Sequence, residues 1–213
     1  MQTGDTITFG PYEWRVLDVQ NNAALVITEE IIEQRAYHDK YVDITWADCE
    51  IRKYLNGEFC DRFRAAEQAG ILPVVNQNPD NPWYGTTGGE DTQDRVFLLS
   101  LEEAVCRYFG DSGALLYNPR AKQRYWFERK DQHNYRRNAA FKGQAWWWWL
   151  RTPGRVNVKA VYIWGGGVGG HRGDMGGCVG IQGNNILKCN VGGPFHAFGD
   201  NKGGVRPALW LKL

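Results

Sequence analysis

The chain has 213 residues, which suits one domain or one and a half, and a globule of this size buries enough core to fold without metal or disulfide staples. Its 25 lysines and arginines against 24 aspartates and glutamates provide no field that would draw it to nucleic acid or an anionic membrane. The cysteines are odd in number and include no Cys-x-x-Cys pair, which argues against a zinc site or dense disulfide framework and favours a reducing compartment: they are Cys49, Cys60, Cys106, Cys178 and Cys189.

The first residues, 1–5, lack the basic region and the apolar run of a signal peptide. No apolar stretch approaches the roughly 18 residues of a membrane span. We therefore expect a soluble chain without membrane insertion. Its location is open; association with a virion, or display at a cell surface through a partner, would both fit.

The N-terminal segment predicts strands. Apolar and polar residues alternate from Tyr12 to Leu17, the pattern of a half-buried strand, and Gly10-Pro11 separates it from the strand before. Asn21-Asn22 has the composition of a turn, after which residues 23–28 return as the next strand of a hairpin.

A helix and a short helical turn follow. Thr45-Trp46-Ala47-Asp48 resembles a capping box with Asp in place of Glu, and it predicts a helix that runs to Leu55 and stops at Asn56-Gly57. A second, shorter helix over residues 65–69 is expected to end at Gly70.

The middle of the chain alternates extended and irregular segments. Residues 71–75 are extended, residues 76–94 form a loop held to the body by Trp83-Tyr84, and residues 95–99 form a strand. The capping box at 100–103, Ser-Leu-Glu-Glu, begins a helix that ends near residue 109.

Residues 111–138 are basic and irregular, and beyond them the chain is strand and loop. The sequence thus predicts a single domain over residues 1–213 with an α+β fold. We expect two helices besides the short one at 65–69, a mixed or antiparallel sheet that joins the N- and C-terminal strands, and long irregular loops.

Two apolar runs enclose a glycine-rich insert in the last third of the chain. The first run contains four consecutive tryptophans, 146–149, and the second closes the chain over residues 205–213. Between Gly165 and Gly204 lie 15 of the 26 glycines, and a helix is excluded there because each glycine costs about 1 kcal/mol relative to alanine. Such a segment suits a loop surface whose side chains make contacts while the backbone is fixed elsewhere.

The two apolar runs are expected to be strands that fix this backbone. Alternate residues of a strand point to opposite faces, so two of the four tryptophans should enter the core and two should face another layer or the ligand side. Arg151 and Arg206 flank these strands, and we expect them to donate hydrogen bonds to loop carbonyls.

Six segments recur together in one family, and the likeness extends over nearly the whole chain. The segments are 17–19 (Leu-Asp-Val), 55–59 (Leu-Asn-Gly-Glu-Phe), 78–85 (Asn-Pro-Asp-Asn-Pro-Trp-Tyr-Gly), 96–103 (Val-Phe-Leu-Leu-Ser-Leu-Glu-Glu), 148–154 (Trp-Trp-Leu-Arg-Thr-Pro-Gly) and 203–210 (Gly-Gly-Val-Arg-Pro-Ala-Leu-Trp). The last two are specific, because chance matches of that length and order are improbable. Together the segments resemble a bacterial and phage domain family of formally unknown function that has a C-type-lectin-like fold.

Several members of that family, and other C-type-lectin-like proteins, are variable proteins of diversity-generating retroelements. In these systems a reverse transcriptase misreads template adenines, so that selected codons near the 3′ end of the gene are scrambled. The resemblance implies a ligand-binding display protein, and not an enzyme, that presents a hypervariable C-terminal surface over residues 155–204 to a protein or glycan target. Residues 165–201 are longer and less rich in Asn and Tyr than this resemblance leads one to expect.

No cofactor and no metal is expected, and the oligomeric state is left open. Calcium-dependent sugar binding is a weaker variant, since no Glu-Pro-Asn or Gln-Pro-Asp triplet is present. The expected ligand contacts come from the insert, and one or two aromatic residues should dominate the binding energy: Trp164, Val168, His171, Arg172, Asp174, Met175, Phe195, His196, Phe198, Asp200 and Asn201.

Two motifs in the insert have other interpretations. Gly165-x-Gly167-x-x-Gly170 follows a strand-like segment, as in a dinucleotide-binding fingerprint, but the helix that this fingerprint requires cannot follow in so glycine-rich a sequence. Arg172-Gly173-Asp174 is the tripeptide that integrins recognise, and in this composition coincidence explains it.

Cys178 and Cys189 raise the main alternative function. Formylglycine-generating oxidases share a related fold and act through a pair of cysteines. A reactive thiolate needs basic or helix-terminal surroundings, and only Lys188 lies nearby in the sequence.

The remaining candidates favour structural roles. His38-Asp39 and His133 are isolated in the sequence and are expected at surface or loop positions. Glu102 and Glu103 lie in a first helical turn, where carboxylates interact favourably with the helix dipole, so a structural role is favoured over acid–base catalysis. Residues 120–137 combine basic and aromatic groups that could stack single-stranded nucleic acid, but the net charge favours a solvated face or a subunit contact, so no nucleic acid partner is expected.

Overall fold

A computed structural model describes residues 1–40, 42–109, 116–117, 134–165, 172–180 and 203–213, with the backbone alone described at 134–135, 164–165 and 172–180. The regular secondary structure of these residues is mostly strands, with a few short helices, which confirms the predicted α+β class. The strands are β1 (Thr6–Phe9), β2 (Tyr12–Gln20), β3 (Ala23–Thr28), β4 (Glu33–Arg35), β5 (Ile71–Leu72), β6 (Val74–Asn76), β7 (Thr92–Asp94), β8 (Val96–Phe97), β9 (Ala140–Phe141), β10 (Gln144–Ala145), β11 (Trp148–Pro153), β12 (Lys159–Gly165), β13 (Arg172–Gly180), β14 (Gly203–Val205) and β15 (Ala208–Lys212).

Two larger sheets and two small ribbons contain these strands. The first sheet has the order β1-β2-β3-β15-β5, and β8 also pairs with β15. The second sheet has the order β13-β12-β11-β14-β4, while β6 pairs with β7 and β9 with β10. The predicted pairing of N- and C-terminal strands is confirmed, because β15 runs antiparallel to β3 over five residue pairs.

The turn between β2 and β3 explains why the first hairpin forms where the sequence predicts it. Asn21 and Asn22 have φ angles of 49° and 60°. A tight hairpin turn of this hand requires two residues in the left-handed region, which asparagine tolerates better than other residues with a side chain. The Asn22 carbonyl also accepts a hydrogen bond of 2.9 Å from the N–H of Leu213, so the turn holds the last residue of the chain.

Two α-helices lie between β4 and β5 in the sequence: α1 (Glu50–Asn56) and α2 (Ala65–Gln68). The predicted capping box at Thr45 is wrong, because the Thr45 side chain caps nothing and Trp46–Asp48 form a separate 3-10 turn. The physical reason lies in Trp46, whose indole N–H donates to the buried carboxylate of Asp94 at 2.9 Å, a contact with a residue far away in the sequence.

The buried Asp94 carboxylate connects α1 to the β6–β7 ribbon. Besides Trp46, it accepts hydrogen bonds from Arg52 Nε at 2.6 Å, Asn76 Nδ2 at 2.9 Å and Thr92 Oγ1 at 2.7 Å. A buried charge is stable only when it is paired and fully hydrogen-bonded, and these four donors meet that requirement.

The capping box at Ser100 is confirmed. The Ser100 N–H donates to Glu103 Oε2 at 2.8 Å, and the Glu103 N–H donates to Ser100 Oγ at 3.2 Å. The segment that follows, Glu103–Arg107, is a π-helical turn. Glu103 also forms an ion pair with Arg151, whose Nη2 donates to Glu103 Oε1 at 3.0 Å.

Burial on its own would raise the pKa of Glu103, but the charge and hydrogen bonds of Arg151 and the Ser100 N–H outweigh it and lower the pKa below its usual range. Since the folded pKa lies below the unfolded value, the stabilisation is present above about pH 4.3, the ordinary pKa of glutamate. It is lost as the pH falls through the folded pKa.

Glu103→Gln should therefore lower the free energy of unfolding by about 3 kcal/mol at neutral pH, because it leaves a buried guanidinium without its counter-ion. The deficit should shrink near pH 3, where the wild-type carboxylate is also becoming protonated. Urea unfolding at both pH values measures it. Glu102→Gln, at the exposed neighbouring position, is the control and should change stability by less than about 0.5 kcal/mol. A deficit that is equal at both pH values would contradict this role for the ion pair.

Candidate ligand-binding edge of the second sheet

Four of the expected contact residues lie on the β12–β13 hairpin, where the backbone alone is described. Trp164 is in β12, and Arg172, Asp174 and Met175 are in β13. Ile163 pairs with Met175 and Gly165 pairs with Arg172, with an irregularity between the two pairs. Trp164 therefore lies opposite the bulged stretch that contains Asp174.

The expectation that the insert is loop throughout is wrong for residues 172–180, which form the nine-residue strand β13. Glycine weakens a strand but is accommodated where the strand bulges, and β13 pairs with β12 across two such irregularities. The integrin-type tripeptide 172–174 and Cys178 both belong to this strand.

The other expected contacts lie outside the described residues, and so do Cys189, His133, Gly167 and Gly170 of the alternative interpretations. These contacts are Val168, His171, Phe195, His196, Phe198, Asp200 and Asn201.

The register of the second sheet brings both boundaries of the insert to one end. Trp148, the first residue of β11, pairs with Ile163 near the end of β12 and with Gly204 near the start of β14. Gly165 in turn pairs with Arg172 at the start of β13. Gly165 and Arg172, which flank residues 166–171, thus lie at this end of the sheet. Gly203, the first described residue after 180, lies at the same end.

Gly203 and Gly204 are required where they stand. A Cβ at Gly203 would overlap the indole rings of Trp147 and Trp149, and a Cβ at Gly204 would lie 2.7 Å from the Trp147 carbonyl oxygen and from Ile31 Cδ1. The Gly204 N–H donates to the same Trp147 carbonyl at 2.8 Å. The C-terminal boundary of the insert is therefore fixed by close backbone approach under two tryptophans.

An aromatic layer covers this boundary. The rings of Trp147 and Trp149 meet edge to face at a centroid distance of 4.7 Å, Trp147 contacts Tyr162 at 5.2 Å, and Tyr37 contacts Trp149 at 5.5 Å. The Trp149 indole N–H donates to the Arg35 carbonyl at 2.9 Å. Each such edge-to-face pair adds about 0.5–1.5 kcal/mol to the burial energy, so the layer holds β4, β11 and β12 rigidly together.

Trp148 faces the opposite side of the sheet, as the predicted alternation requires, but both faces are buried. It is fully buried beneath the Arg206 guanidinium, whose Cζ lies 5.1 Å from the ring centroid, and its N–H donates to the Arg137 carbonyl at 3.0 Å. Trp146 is half-buried against the core. Two of the four tryptophans thus face another layer of the protein, as predicted. The burial of Trp148 excludes a ligand-facing role for it.

The predicted hydrogen bonds of the two flanking arginines are confirmed. Arg151 Nη1 donates to the loop carbonyl of Leu98 at 2.8 Å, and Arg206 Nη2 donates to the loop carbonyl of Glu29 at 3.2 Å, while its Nε donates to Thr28 at the end of β3 at 2.9 Å.

Part of the predicted variable region, 155–204, is buried. Ala160 to Ile163 of β12 are at most 1% exposed, and a Cβ at Gly203 or Gly204 would overlap neighbouring atoms. Residues 164–202 lie between these two parts in the sequence, and the variability of the region stays a prediction.

An open cavity of about 380 Å³ lies between residues 29–30 and the segment 138–145. Ala139 lines this cavity, and its carbonyl accepts a hydrogen bond of 3.1 Å from the N–H of Trp146. The next residue, Trp147, is the one whose carbonyl accepts a hydrogen bond from Gly204. Small and acidic residues line the cavity: Glu29, Glu30, Asn138, Ala139, Ala140, Gly143 and Ala145.

Other sequence candidates occupy structural positions. His38 was expected at the surface or in a loop; it lies in a loop but is only 7% exposed. Burial raises the pKa of the Cys49 thiol to about 12, which favours the thiol over the nucleophilic thiolate. Within the basic run 120–137, Arg136 is exposed but Arg137 is fully buried, which does not fit a wholly solvated face.

The described residues thus define a mixed α+β domain in which the residues that flank the glycine-rich insert lie at one end of a five-stranded sheet. The chain belongs to the family described as a domain of unknown function (DUF6273), whose model matches residues 21–213. No curated protein and no solved structure matches the chain. None of the helices in the described part of the chain has the length and apolar character needed to cross a membrane.

Gly203→Ala should lower the melting temperature by about 3–10 °C, because forcing a methyl group into packed rings costs about 1–3 kcal/mol. Gly70→Ala is the matched control: its φ is not left-handed, and its nearest contact would be the Glu67 carbonyl at 3.3 Å. Thermal unfolding followed by circular dichroism compares the two. Equal melting temperatures for both variants would mean that the two indoles do not fix the boundary.

Proposed function

We propose that this domain is a ligand-binding display protein with a C-type-lectin-like fold, a variable protein of a diversity-generating retroelement. Residues 164–202 present its contact surface to a protein or glycan. One observation carries the proposal: both boundaries of the insert are held at one end of one sheet by buried residues that lie outside the part that varies.

The energetics of the frame support this division. Truncating a buried tryptophan such as Trp147 or Trp149 costs about 3–5 kcal/mol, whereas substitutions on exposed loops change stability by less than about 0.5 kcal/mol. A frame of this kind permits side chains of the insert to change, and with them the ligand, while the fold persists.

The topology supports the fold assignment. The two ends of the chain pair in one sheet through β3 and β15, and the second sheet is built mainly from the last third of the chain. The chain also contains a long segment without regular structure, between Asn76 and Thr92. This is the arrangement expected of a C-type-lectin-like domain.

The composition favours a protein or glycan as the partner. The formal net charge is +1, so a polyanion gains little from the protein's overall field. A protein ligand of ordinary affinity needs about 800 Å² of this surface, and a glycan needs a smaller concave site. The oxidase alternative depends on Cys178 and Cys189, whose side chains lie outside the described residues, and it stays an alternative.

A displayed library tests whether the insert is free to vary. One library randomises five expected contact positions, and a second randomises five frame positions of matched residue size: Trp164, His171, Asp174, Phe195 and Phe198 in the first, and Trp149, Tyr162, Val205, Leu209 and Trp147 in the second. Most members of the first library should remain folded, as measured by protease resistance, and should yield binders to an arbitrary protein target. Most members of the second should be degraded. Equal loss of folded members from both libraries would refute a display role.

The DNA around the gene tests diversification separately. We expect a near-copy of the 3′ end of the gene that differs mainly where the copy has adenine, with the substitutions confined to codons within 164–202. Differences scattered equally over the codons of β11 and β15 would contradict the proposal, and so would the absence of a near-copy in a complete genome.

A further inference from the structure

We propose that His38, Asp39 and Glu50 bind a divalent transition-metal ion of the zinc class. One ligand atom from each of the three side chains lies within 4.8 Å of the others. Among the residues that the structure describes, no other three His, Cys, Asp or Glu side chains converge in this way. The site is separate from the insert and does not depend on the proposed function.

The protein holds the two parts of this site in a fixed relation. His38 and Asp39 follow β4, and Glu50 is the first residue of α1. The N–H of Ile51, next to Glu50, donates to the carbonyl of Tyr37, next to His38, at 3.1 Å. The Tyr37 ring packs against Trp149, so the backbone that carries the ligands is anchored in the core.

The His38 imidazole points to a ligand because it lacks good partners of its own. Its side chain is only 9% exposed, and its Nδ1 is buried without a hydrogen-bond partner. Its Nε2 lies 3.5 Å from Asp39 Oδ1, too far for a strong hydrogen bond. The orphaned Nδ1 marks the imidazole as a buried polar group that the protein leaves unsatisfied, and Nε2, which faces Asp39 without a strong hydrogen bond, is the nitrogen at which an ion would bind.

The spacing and the ligand types select the metal. Ligands about 2.1 Å from a tetrahedral zinc ion lie about 3.4 Å apart, close to the 3.5 Å between His38 Nε2 and Asp39 Oδ1. Imidazole with two carboxylates suits zinc and its neighbours, whereas calcium and magnesium prefer oxygen ligands alone. The Asp39 side chain is 63% exposed, which gives an ion access and leaves a fourth position to water.

Lys53 competes with the metal. Its Nζ donates to Glu50 Oε1 at 2.7 Å, and both side chains are substantially exposed. An exposed ion pair of this kind contributes little to stability, so a metal can displace it. Removing Lys53 should therefore strengthen metal binding.

Calorimetric titration of the chelator-treated full chain with zinc chloride tests the proposal. The wild type should bind one equivalent that is lost with chelator. His38→Gln and Glu50→Gln should each weaken binding by more than about tenfold, since even outer-shell partners of a metal are worth about 10–100-fold. Lys53→Ala should tighten it. Glu58→Gln, which removes an exposed carboxylate just beyond α1, is the matched control and should bind as the wild type does.

Circular dichroism establishes that each variant is folded, and Asp39→Asn, at an exposed position, provides a second ligand variant should the buried His38→Gln unfold. Cobalt in place of zinc should give a spectrum without a thiolate charge-transfer band. Three outcomes overturn the proposal: no binding by the wild type, undiminished binding by Glu50→Gln and Asp39→Asn, or a thiolate band that assigns the metal to cysteines.

Discussion

Two segments of the chain, 23–35 and 203–212, run side by side in opposite directions through both sheets, and the rest of the structure depends on this pairing. β3 and β15 pair in the first sheet, and β4 and β14 pair in the second. Between the sheets the pairing continues, since the N–H of Thr28 donates to Pro207 and that of Ile32 donates to Val205, each at 3.0 Å.

Arg206 fixes this crossover. Its guanidinium is fully buried and donates to the carbonyls of Thr28 and Glu29 at 2.9 and 3.2 Å while lying over Trp148. Burial, with a smaller contribution from Arg15, lowers its pKa to about 9. A cation without a buried carboxylate partner is costly, so its carbonyl contacts restrict the register in which the two segments pair. That register also sets Gly204 beside Trp148, and with it the boundary of the insert.

The sequence predicted those elements whose signals are local. The asparagine turn, the Ser100 capping box and the end of α1 at Gly57 each rest on a few adjacent residues, and all three are found. The box at Thr45 failed because a distant carboxylate, Asp94, holds Trp46. The burial of His38 could not be predicted either, because its neighbour Glu50 is brought to it by a backbone hydrogen bond between segments. The sequence did not predict that residues 172–180 form a strand, because their glycine content does not favour one. The strand forms by hydrogen-bonded pairing with β12, which the local sequence does not indicate.

The partners of the buried charged residues show which parts of the sequence the fold requires. Among the residues that the structure describes, the partners of Asp94, Glu103, Arg151 and Arg206 all lie before 155 or after 202, so a substitution between 164 and 202 removes none of these contacts. Loss of a partner is the commonest way for a single change to cost more than about 3 kcal/mol in a core. These penalties fall on residues outside the insert, and β13 within it is tied to the frame by its pairing with β12. Under the proposed function, selection for binding would therefore act on the insert with little interference from selection for folding.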